Sequence, residues 1–440
     1  MRFAKSLRNI NYKLLVSLLF LGLCPTVYNT LRIFWLGQLP GEYSFSIAGQ
    51  LSWVNLFYEV LNESIILPLF FFVGLIGSNK KELSNRLKTG LLVSFITYFI
   101  VSSSVFIFAE PLLKLMATSP NIINESVNYI RLETIAAIFT ILFQFSLVFL
   151  VAIDNKKLIY VLTFVQLILC SLLDLFFVSN NNFSLNLGVN GIAITNIIVY
   201  FSLFLVSLYL LSKNNIKLFN KEKNDFSWIK NFFKVGGVSG IESLVRNLFY
   251  MLMICRMVNM VGEQGTYWVA NNFIWGWLLL PILQLGELIK QEVSKDSDNV
   301  NKNTIGYLAL TIIICLLWFA LIPLYKPFMT HVLHFNDVDK LFNLIMVLIG
   351  FYVLFAIQNV FDSIFYGLGK TNYMLFESVV TNTIYYGICF ILYITNLWEP
   401  TLLGIALMFG IGNAFDSVVS YIAFRHLSKK KSFDVLNPVL

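Results

Sequence analysis

The sequence predicts an all-α polytopic membrane protein of about twelve transmembrane helices, and three observations support this fold class. First, 58% of the 440 residues are hydrophobic and only 12% are charged, whereas soluble domains carry about 25% charged residues. Second, apolar runs recur along the whole chain, and each is close to the ~20 residues that a helix needs to cross the hydrocarbon core. Third, runs such as residues 158–178 are apolar on every face, which excludes the alternating strands of a β-barrel.

The apolar runs predict two sets of six helices. The first set lies near residues 13–37, 47–76, 89–109, 127–152, 158–178 and 189–212, and the second near residues 235–261, 267–289, 304–324, 341–367, 372–394 and 403–427. A polar connector with six lysines separates the two sets. The expected organisation is therefore an N-terminal six-helix lobe at 1–212, a cytoplasmic linker at 213–234 and a C-terminal six-helix lobe at 235–440.

Basic residues predict the orientation of these helices. If the N-terminus is cytoplasmic, segments on that side carry 24 of the 31 lysines and arginines, the opposite side carries three, and four arginines lie within helices. This asymmetry is what the positive-inside rule predicts. We therefore expect a multi-pass protein of the cytoplasmic (inner) membrane with both termini in the cytoplasm. The net charge of +7 is then an orientation signal and predicts no nucleic-acid partner.

Short stretches of similar sequence in the two halves suggest a duplication. Residues 67–68, 153–156 and 191–194 resemble residues 280–281, 368–371 and 404–407, at nearly constant offset and in the same order. Because six helices is an even number, the two repeats have the same orientation in the membrane, as in one class of secondary transporter. The expected architecture is two pseudo-symmetric lobes.

Nine acidic residues fall within the predicted helices, opposed by four arginines. The acids are Glu59, Glu63, Glu133, Asp174, Glu242, Glu287, Asp362, Glu377 and Asp416, and the arginines are Arg32, Arg131, Arg246 and Arg256. A charge at the bilayer centre costs at least ~2.5 to 3.5 kcal/mol, so each is a functional candidate. Complete pairing still leaves five carboxylates, which must be protonated, bind a cation or face water. This surplus favours a transporter coupled to Na⁺ or H⁺, with no other cofactor.

The acids deepest in the first half are the predicted cation-coupling residues. Glu59 and Glu63 are four residues apart on one helix and share a face. Asp174 lies in the outward half of the fifth helix, where burial would favour its protonated form and a bound Na⁺ would favour its ionised form. We therefore predict that Asp174, Glu59 and Glu63 form a cation site, with Asp174 as the candidate Na⁺ ligand.

The remaining polar and aromatic candidates predict a substrate cavity, whose candidate residues are Arg32, Tyr28, Trp53, Glu242, Arg246, Asp362 and Glu377. Glu242 and Arg246 have the spacing of an intrahelical ion pair. Arg32 cannot be deprotonated, so it cannot carry a proton or ligate a cation. Two interpretations stay open: Arg32 pairs with a carboxylate (Glu59, Glu63 or Asp174), or it receives an anionic group of the solute.

Several short motifs resemble the multidrug and toxic compound extrusion (MATE) family, within the wider group of flippase-like exporters. The stretch LGVNGIAIT at 187–195, preceded by Asp174, resembles the family sequence that opens helix six. GGVSGIE at 236–242 is similar to the entry to helix seven, and YGLGK at 366–370 to the turn after helix ten. The resemblance implies two six-helix lobes in a V, a central cavity, and export driven by Na⁺ or H⁺. The chain departs from the family at Arg32, where helix one often carries an aspartate, and at Cys170, where an asparagine is usual.

These observations favour an antiporter that exports small amphipathic organic molecules by alternating access, acting as a monomer in the lipid bilayer. The alternative is a lipid-linked oligosaccharide flippase, a class that tends to have a cationic cavity, whereas here acids outnumber arginines in the helices. A membrane enzyme is disfavoured because the chain has no His-Glu-x-x-His motif, no Ser/His/Asp set and no long polar loop.

Overall fold

The computed structural model describes residues 2–39, 43–74, 76, 79–152, 156–218 and 224–431, and these residues form α-helices and short π-helical segments. The first nine helices are α1 (Arg2–Asn9), α2 (Tyr12–Gly37), α3 (Ser44–Gly49), α4 (Leu51–Gly74), α5 (Lys80–Ile107), α6 (Ala109–Leu115), α7 (Pro120–Ala152), α8 (Lys156–Phe177) and α9 (Val189–Lys213). The others are α10 (Ile229–Tyr250), α11 (Arg256–Met260), α12 (Gln264–Phe273), α13 (Leu280–Lys295), α14 (Asn299–Ala320), α15 (Ile322–His331), α16 (Val338–Gly367), α17 (Thr371–Val380), α18 (Gly387–Ile394) and α19 (Leu402–Lys431). The π-helical segments are Met251–Cys255, Ile274–Leu278 and Thr381–Tyr386.

The number of membrane spans agrees with the sequence prediction. Within the described ranges, 11 helices are long and apolar enough to cross a membrane, and the bent pair Gln264–Leu278 and Leu280–Lys295 brings the total to 12. The prediction of an all-α fold with about twelve transmembrane helices is therefore confirmed. The short helices α1, α6 and α15 were not predicted, because α1 precedes the first apolar run and the other two lie in connectors.

The helices form two compact units. The first, here called the N-terminal unit, is Leu31–Gly265, and the second, the C-terminal unit, combines Met1–Thr30 with Thr266–Leu440. This division differs from the predicted lobes, because α10 packs closely on α4 and so belongs to the N-terminal unit. The lobe boundaries stay a prediction. The described residues do not include part of the linker, at 219–223, or part of one of the similar stretches, at 153–155.

The N-terminal unit is built around α7, which packs against α4, α5, α8 and α9. Phe145 and Phe149 on α7 are fully buried and stack at 5.6 Å between ring centroids. A Cβ on Gly191, at the start of α9, would lie only 2.8 Å from the carbonyl oxygen of Phe177. The missing side chain therefore lets α9 approach the end of α8, the two helices that carry Asn196 and Asp174.

The C-terminal unit is built around α13, α14, α16 and α19, with α1 packed along α14. Its core includes Leu288, Tyr307, Ile364, Phe365 and Phe424. The backbone N–H of Gly306 donates to Oγ of Ser6 at 2.9 Å, and this bond holds α1 against α14. The unit thus anchors its N-terminal helix through a backbone hydrogen bond as well as apolar contacts.

Prolines mark two different backbone features. Pro25 and Pro68 lie inside α2 and α4, where each removes one backbone hydrogen bond. Pro281 instead occupies the first turn of α13, directly after the π-helical segment Ile274–Leu278. The chain bends by 52° at this break, because a proline is tolerated at the start of a helix but cannot continue the preceding one. The helix predicted at 267–289 is therefore broken.

Candidate functional site

An arginine and an aspartate form a buried ion pair in the N-terminal unit. Nε of Arg32, on α2, donates to Oδ2 of Asp174, on α8, at 2.6 Å. Nη2 of Arg32 donates to Oδ1 of Asn196 on α9 at 2.6 Å, and Nδ2 of Asn196 donates to Oε1 of Glu133 on α7 at 2.9 Å. Asp174 and Glu133 are 1% and 6% exposed. Four helices thus share one buried polar network.

This pair bears on the predicted Na⁺ ligand. Of the two interpretations of Arg32, pairing with Asp174 is the arrangement that the structure contains. A guanidinium stays charged in proteins, so Asp174 already faces a fixed cation and one of its oxygens is occupied by the arginine. Among the described residues, no group of three or more His, Cys, Asp or Glu side chains is arranged to hold a metal ion. The surroundings of Asp174 therefore fit an arginine better than Na⁺.

A second arginine in the same unit gathers three glutamates. Nη1 of Arg246, on α10, lies 3.2 Å from Oε1 of Glu242, one turn earlier on the same helix, so the predicted i, i+4 pair is confirmed. Nη2 of Arg246 reaches Oε1 of Glu59 at 3.1 Å and Oε1 of Glu63 at 2.7 Å, both on α4. Three carboxylates share one arginine whose side chain is 37% exposed. The group has surplus negative charge and is partly exposed.

The sequence grouped Glu59 and Glu63 with Asp174, whereas the structure gives each set its own arginine. The reason is the close packing of α4 on α10. Gly236 and Gly240 face Ser64, and a Cβ on either glycine would overlap the Ser64 backbone carbonyl or hydroxyl. Small residues four apart let two membrane helices approach closely. The structure therefore shows two arginine-centred groups, and a shared cation site of these acids stays a prediction.

Two predicted cavity residues lie inside the protein. Trp53 is completely buried, and its Nε1 donates to Oε1 of Gln50 at 3.1 Å. Gln50 also donates from Nε2 to Oδ1 of Asn259 at 2.8 Å and accepts from Oγ1 of Thr118 at 3.0 Å. Tyr28 is buried as well. The prediction that Trp53 lines the cavity is wrong for this structure, because the ring packs inside the N-terminal unit instead.

Three acids meet in the C-terminal unit. Nε2 of Gln358, on α16, donates to Oδ2 of Asp416 on α19 at 2.6 Å and to Oδ2 of Asp362 at 3.2 Å. Glu377, on α17, lies close enough to Asp362 and Asp416 to interact with them electrostatically. We call Asp362, Glu377 and Asp416 the acid trio. No described lysine or arginine forms an ion pair with it, in contrast to the acids of the N-terminal unit.

Two hydroxyl groups complete the surroundings of the trio. Oγ of Ser420 donates to Oδ1 of Asp362 at 2.8 Å, and Oγ1 of Thr381 donates to Oδ1 of Asp416 at 2.6 Å. The sequence singled out the acids but missed these partners. The sequence spacing could have indicated these partners, because each acid has a polar residue four positions away on its own helix. These same-helix pairs are Gln358/Asp362, Glu377/Thr381 and Asp416/Ser420. Residues four apart share a helix face.

The family model MatE matches residues 20–176 of the chain. No curated protein matches the chain.

Of the remaining cavity candidates, Arg32, Glu242 and Arg246 lie in the N-terminal unit, and Asp362 and Glu377 lie in the C-terminal unit.

Solved structures with the same fold cover nearly the whole chain. An inward-facing multidrug resistance MATE family transporter of the MOP superfamily has a TM-score of 0.78 at 16% identity, covering 93% of this chain and 96% of that one. A variant of the Vibrio cholerae MATE transporter VcmN has a TM-score of 0.69 at 16% identity, covering 97% of both chains. A Pyrococcus furiosus transporter of the MOP superfamily, described as having a binding pocket of reverse polarity, has a TM-score of 0.65 at 18% identity, covering 98% of this chain and 99% of that one.

The match and the fold agree with the motifs found in the sequence. The match covers the first spans including Asp174, and the fold extends the likeness over both units. The predicted resemblance to the MATE family is therefore confirmed. The protein is a multi-pass membrane protein. Residues 20–176 of this chain thus match the MatE family model, and the fold of its described residues is that of solved MATE transporters.

Proposed function

We propose that this protein is a cation-coupled antiporter that exports small amphipathic organic molecules by alternating access, driven by H⁺ or Na⁺. The proposal goes beyond the family, because neither the coupling ion nor the solute follows from the fold. It rests on one observation, the surplus of acids over arginines in the membrane spans.

The structure locates this surplus. Of the nine acids in the spans, Asp174 pairs with Arg32, and Glu133 is linked to that arginine through Asn196. Glu59, Glu63 and Glu242 share Arg246. Glu287 pairs with Lys290 at 2.6 Å. The acid trio has no basic partner among the described residues. Carboxylates at this depth are costly unless they are protonated or neutralised by a cation, and a transporter that binds and releases cations uses this property.

The solute class is supported by the chemistry of the chain and by its relatives. Two of the three solved relatives described above are named as MATE transporters, and one of them as a multidrug resistance transporter. The Arg246 group combines partial exposure with surplus negative charge, which suits a cationic amphipathic solute. The flippase alternative has less support, because the matched family model and solved structures are those of MATE transporters.

Dye transport by the purified protein tests the proposal. Full-length protein in lipid vesicles is given ethidium, a fluorescent amphipathic cation, under a pH gradient or a Na⁺ gradient imposed separately. We expect ethidium flux to follow one of the two gradients and to stop when that gradient is collapsed. Flux that is the same with and without both gradients contradicts cation coupling.

We also propose that both termini and the 213–234 connector lie in the cytoplasm, as the basic residues predict. In a background without native cysteines, Asn181→Cys and Lys217→Cys place single thiols at exposed positions, which this orientation puts on opposite sides of the membrane. A membrane-impermeant thiol reagent is expected to label Asn181→Cys in intact cells and Lys217→Cys only after lysis. Removing Cys389 matters most, because it is the only native cysteine that is not buried. Labelling of both variants in intact cells contradicts this orientation.

A further inference from the structure

We propose that α1 and the first turns of α2 form a binding surface for anionic phospholipids. Lys5, Arg8 and Lys13 bind the lipid phosphate, and the exposed apolar face of α2 contacts the acyl chains. We call these three basic residues and this apolar face the α1 lipid surface. The inference concerns a lipid and not the transported solute, so it goes beyond the proposed function. The orientation proposed above places the surface at the cytoplasmic leaflet, whose surface charge is negative.

The first observation is the charge of this segment. Residues 1–20 contain four basic residues, Arg2, Lys5, Arg8 and Lys13, and no acidic residue. Lys5 and Arg8 are three positions apart on α1, so they share a helix face, and both are exposed. Lys13, in the first turn of α2, is exposed as well. Basic clusters directly beside a membrane span are typical of segments that bind anionic lipid.

The second observation is that α1 is anchored by its opposite face. Ser6 is only 2% exposed, and its Oγ accepts from the backbone N–H of Gly306 on α14 at 2.9 Å. A Cβ on Gly306 would lie 2.8 Å from Oγ of Ser6, so the missing side chain lets α1 approach α14 closely. Lys5 and Arg8 lie roughly 100° and 160° from Ser6 around the helix. The contact with α14 therefore leaves both basic side chains pointing away from it.

The turn between α1 and α2 is fixed by the buried Glu292 of α13. Oε1 of Glu292 accepts from the backbone N–H of Asn11 at 2.9 Å, and Oε2 accepts from Asn303 at 3.2 Å and from the hydroxyl of Tyr307. Oδ1 of Asn11 in turn accepts from the backbone N–H of Leu14 at 3.0 Å, in the first turn of α2. The position of α1 at the start of the span is therefore built into the fold of the C-terminal unit.

Acidic side chains of this unit do not neutralise the basic residues of the α1 lipid surface. Glu292 has three donors of its own. In the connector before α14, Asp298 and Asp296 pair with Lys302 at 2.6 and 3.6 Å. Within the described part of the chain, the three basic residues of the surface form no ion pair. Their anionic partner must therefore come from outside the protein.

The third observation is an apolar stripe on α2 that begins where α1 ends. Its members are exposed by 43%, 65%, 43% and 40% and are Tyr12, Val16, Phe20 and Leu23. Their spacing of four, four and three residues places them on one face of the helix. The hydroxyl of Tyr12 donates to the carbonyl of Leu7 at 2.9 Å, which joins the start of the stripe to the end of α1.

The combination of the two features selects the ligand. Exposed apolar patches on a protein mark contacts with a partner or with membrane, and stable binding to a membrane usually combines an apolar and an electrostatic signal. A phospholipid with a net negative charge satisfies both, because its phosphate meets the basic residues and its chains follow the stripe. A free phosphate ion would use the basic residues alone.

Native mass spectrometry of the full-length protein in detergent, titrated with phosphatidylglycerol or phosphatidylcholine, tests this proposal. The wild type is expected to bind the first phosphatidylglycerol more tightly than the zwitterionic phosphatidylcholine, with an affinity that falls as salt is added. Lys5→Gln combined with Arg8→Gln is expected to weaken this binding about 25-fold, since each basic residue near a lipid surface contributes about fivefold. Lys5→Arg combined with Arg8→Lys keeps both charges and is expected to keep most of the affinity.

A second double variant is the matched control. Lys213→Gln combined with Lys217→Gln removes the same charge from two exposed positions at and after the end of α9, on the same proposed side of the membrane. It is expected to bind the first phosphatidylglycerol like the wild type. Because all four substituted side chains are exposed, both double variants are expected to keep the wild-type Tm in the absence of added lipid.

Three results would overturn the proposal. The first is equal affinity of the wild type for the two lipids, and the second is wild-type affinity in the folded Lys5→Gln/Arg8→Gln variant. The third is an equal loss in the two double variants, which would show attraction spread over the basic surface. Glycerol phosphate, which lacks acyl chains, is expected not to displace the lipid, and displacement at equal concentration would indicate a phosphate site instead. None of these measurements involves transport, so they stand or fall independently of ethidium flux.

Discussion

Replacing Arg32 with alanine is expected to destabilise the protein by about 3–5 kcal/mol, the cost of removing one partner of a buried ion pair. The loss arises because Asp174, at 2.6 Å from Arg32 and 1% exposed, keeps its charge in an apolar interior. Thermal unfolding of the purified variant measures it as a lower Tm. The control is Lys114→Ala, which breaks an exposed ion pair with Glu110 at 2.7 Å and is expected to leave the Tm unchanged.

A double variant tests the same pair more strictly. Arg32→Met with Asp174→Leu removes both charges and is expected to recover much of the lost stability, because two apolar side chains need no partner. If the double variant is as unstable as the sum of the single variants, the pair does not account for the loss.

Transport by the stable double variant then distinguishes the two roles of Arg32. Unchanged flux of ethidium together with loss of anionic solutes supports binding of an anionic group by Arg32. Loss of flux for every solute supports a role of the pair in the transport cycle.

The sequence predicted those features that depend on one helix at a time. Apolar runs predicted the spans, because each span must bury its own backbone in lipid whatever its neighbours are. The Glu242–Arg246 pair was predicted from its spacing, since residues four apart meet on any helix. The short helices in the connectors were missed, because no apolar run marks them.

Features that depend on which helices are neighbours could not be predicted in the same way. Arg32 and Asp174 are 142 residues apart in the chain, and the sequence offered three acids as partners for the arginine. Glu63 and Arg246 are 183 residues apart. Only the packing of α4 on α10 brings them to 2.7 Å, and single-sequence spacing contains no information on that packing. The same holds for Gln358, which joins two acids from different helices.

Adding one methyl group to Gly236 is expected to disturb the helix packing that creates the Arg246 group. A Cβ at this position would overlap the backbone carbonyl oxygen of Ser64 on α4, and a backbone atom cannot move aside as a flexible side chain can. Overpacking of this kind typically costs about 1–3 kcal/mol. Gly236→Ala is therefore expected to lower the Tm and the yield of monodisperse protein.

The neighbouring glycine provides a matched control for this prediction. A Cβ on Gly237 meets no atom within 4 Å, so Gly237→Ala introduces no clash. Because alanine is favoured over glycine in a helix by up to ~1 kcal/mol, this variant is expected to be neutral or slightly more stable. The two variants differ only in which face of α10 carries the methyl group. Arg246 reaches Glu59 and Glu63 only when α10 lies close to α4, so a shift of α10 also weakens those ion pairs. Ethidium flux per folded molecule is therefore expected to fall in Gly236→Ala but not in Gly237→Ala. Equal Tm values for the two variants would show that the close approach at Ser64 does not constrain the position of α10.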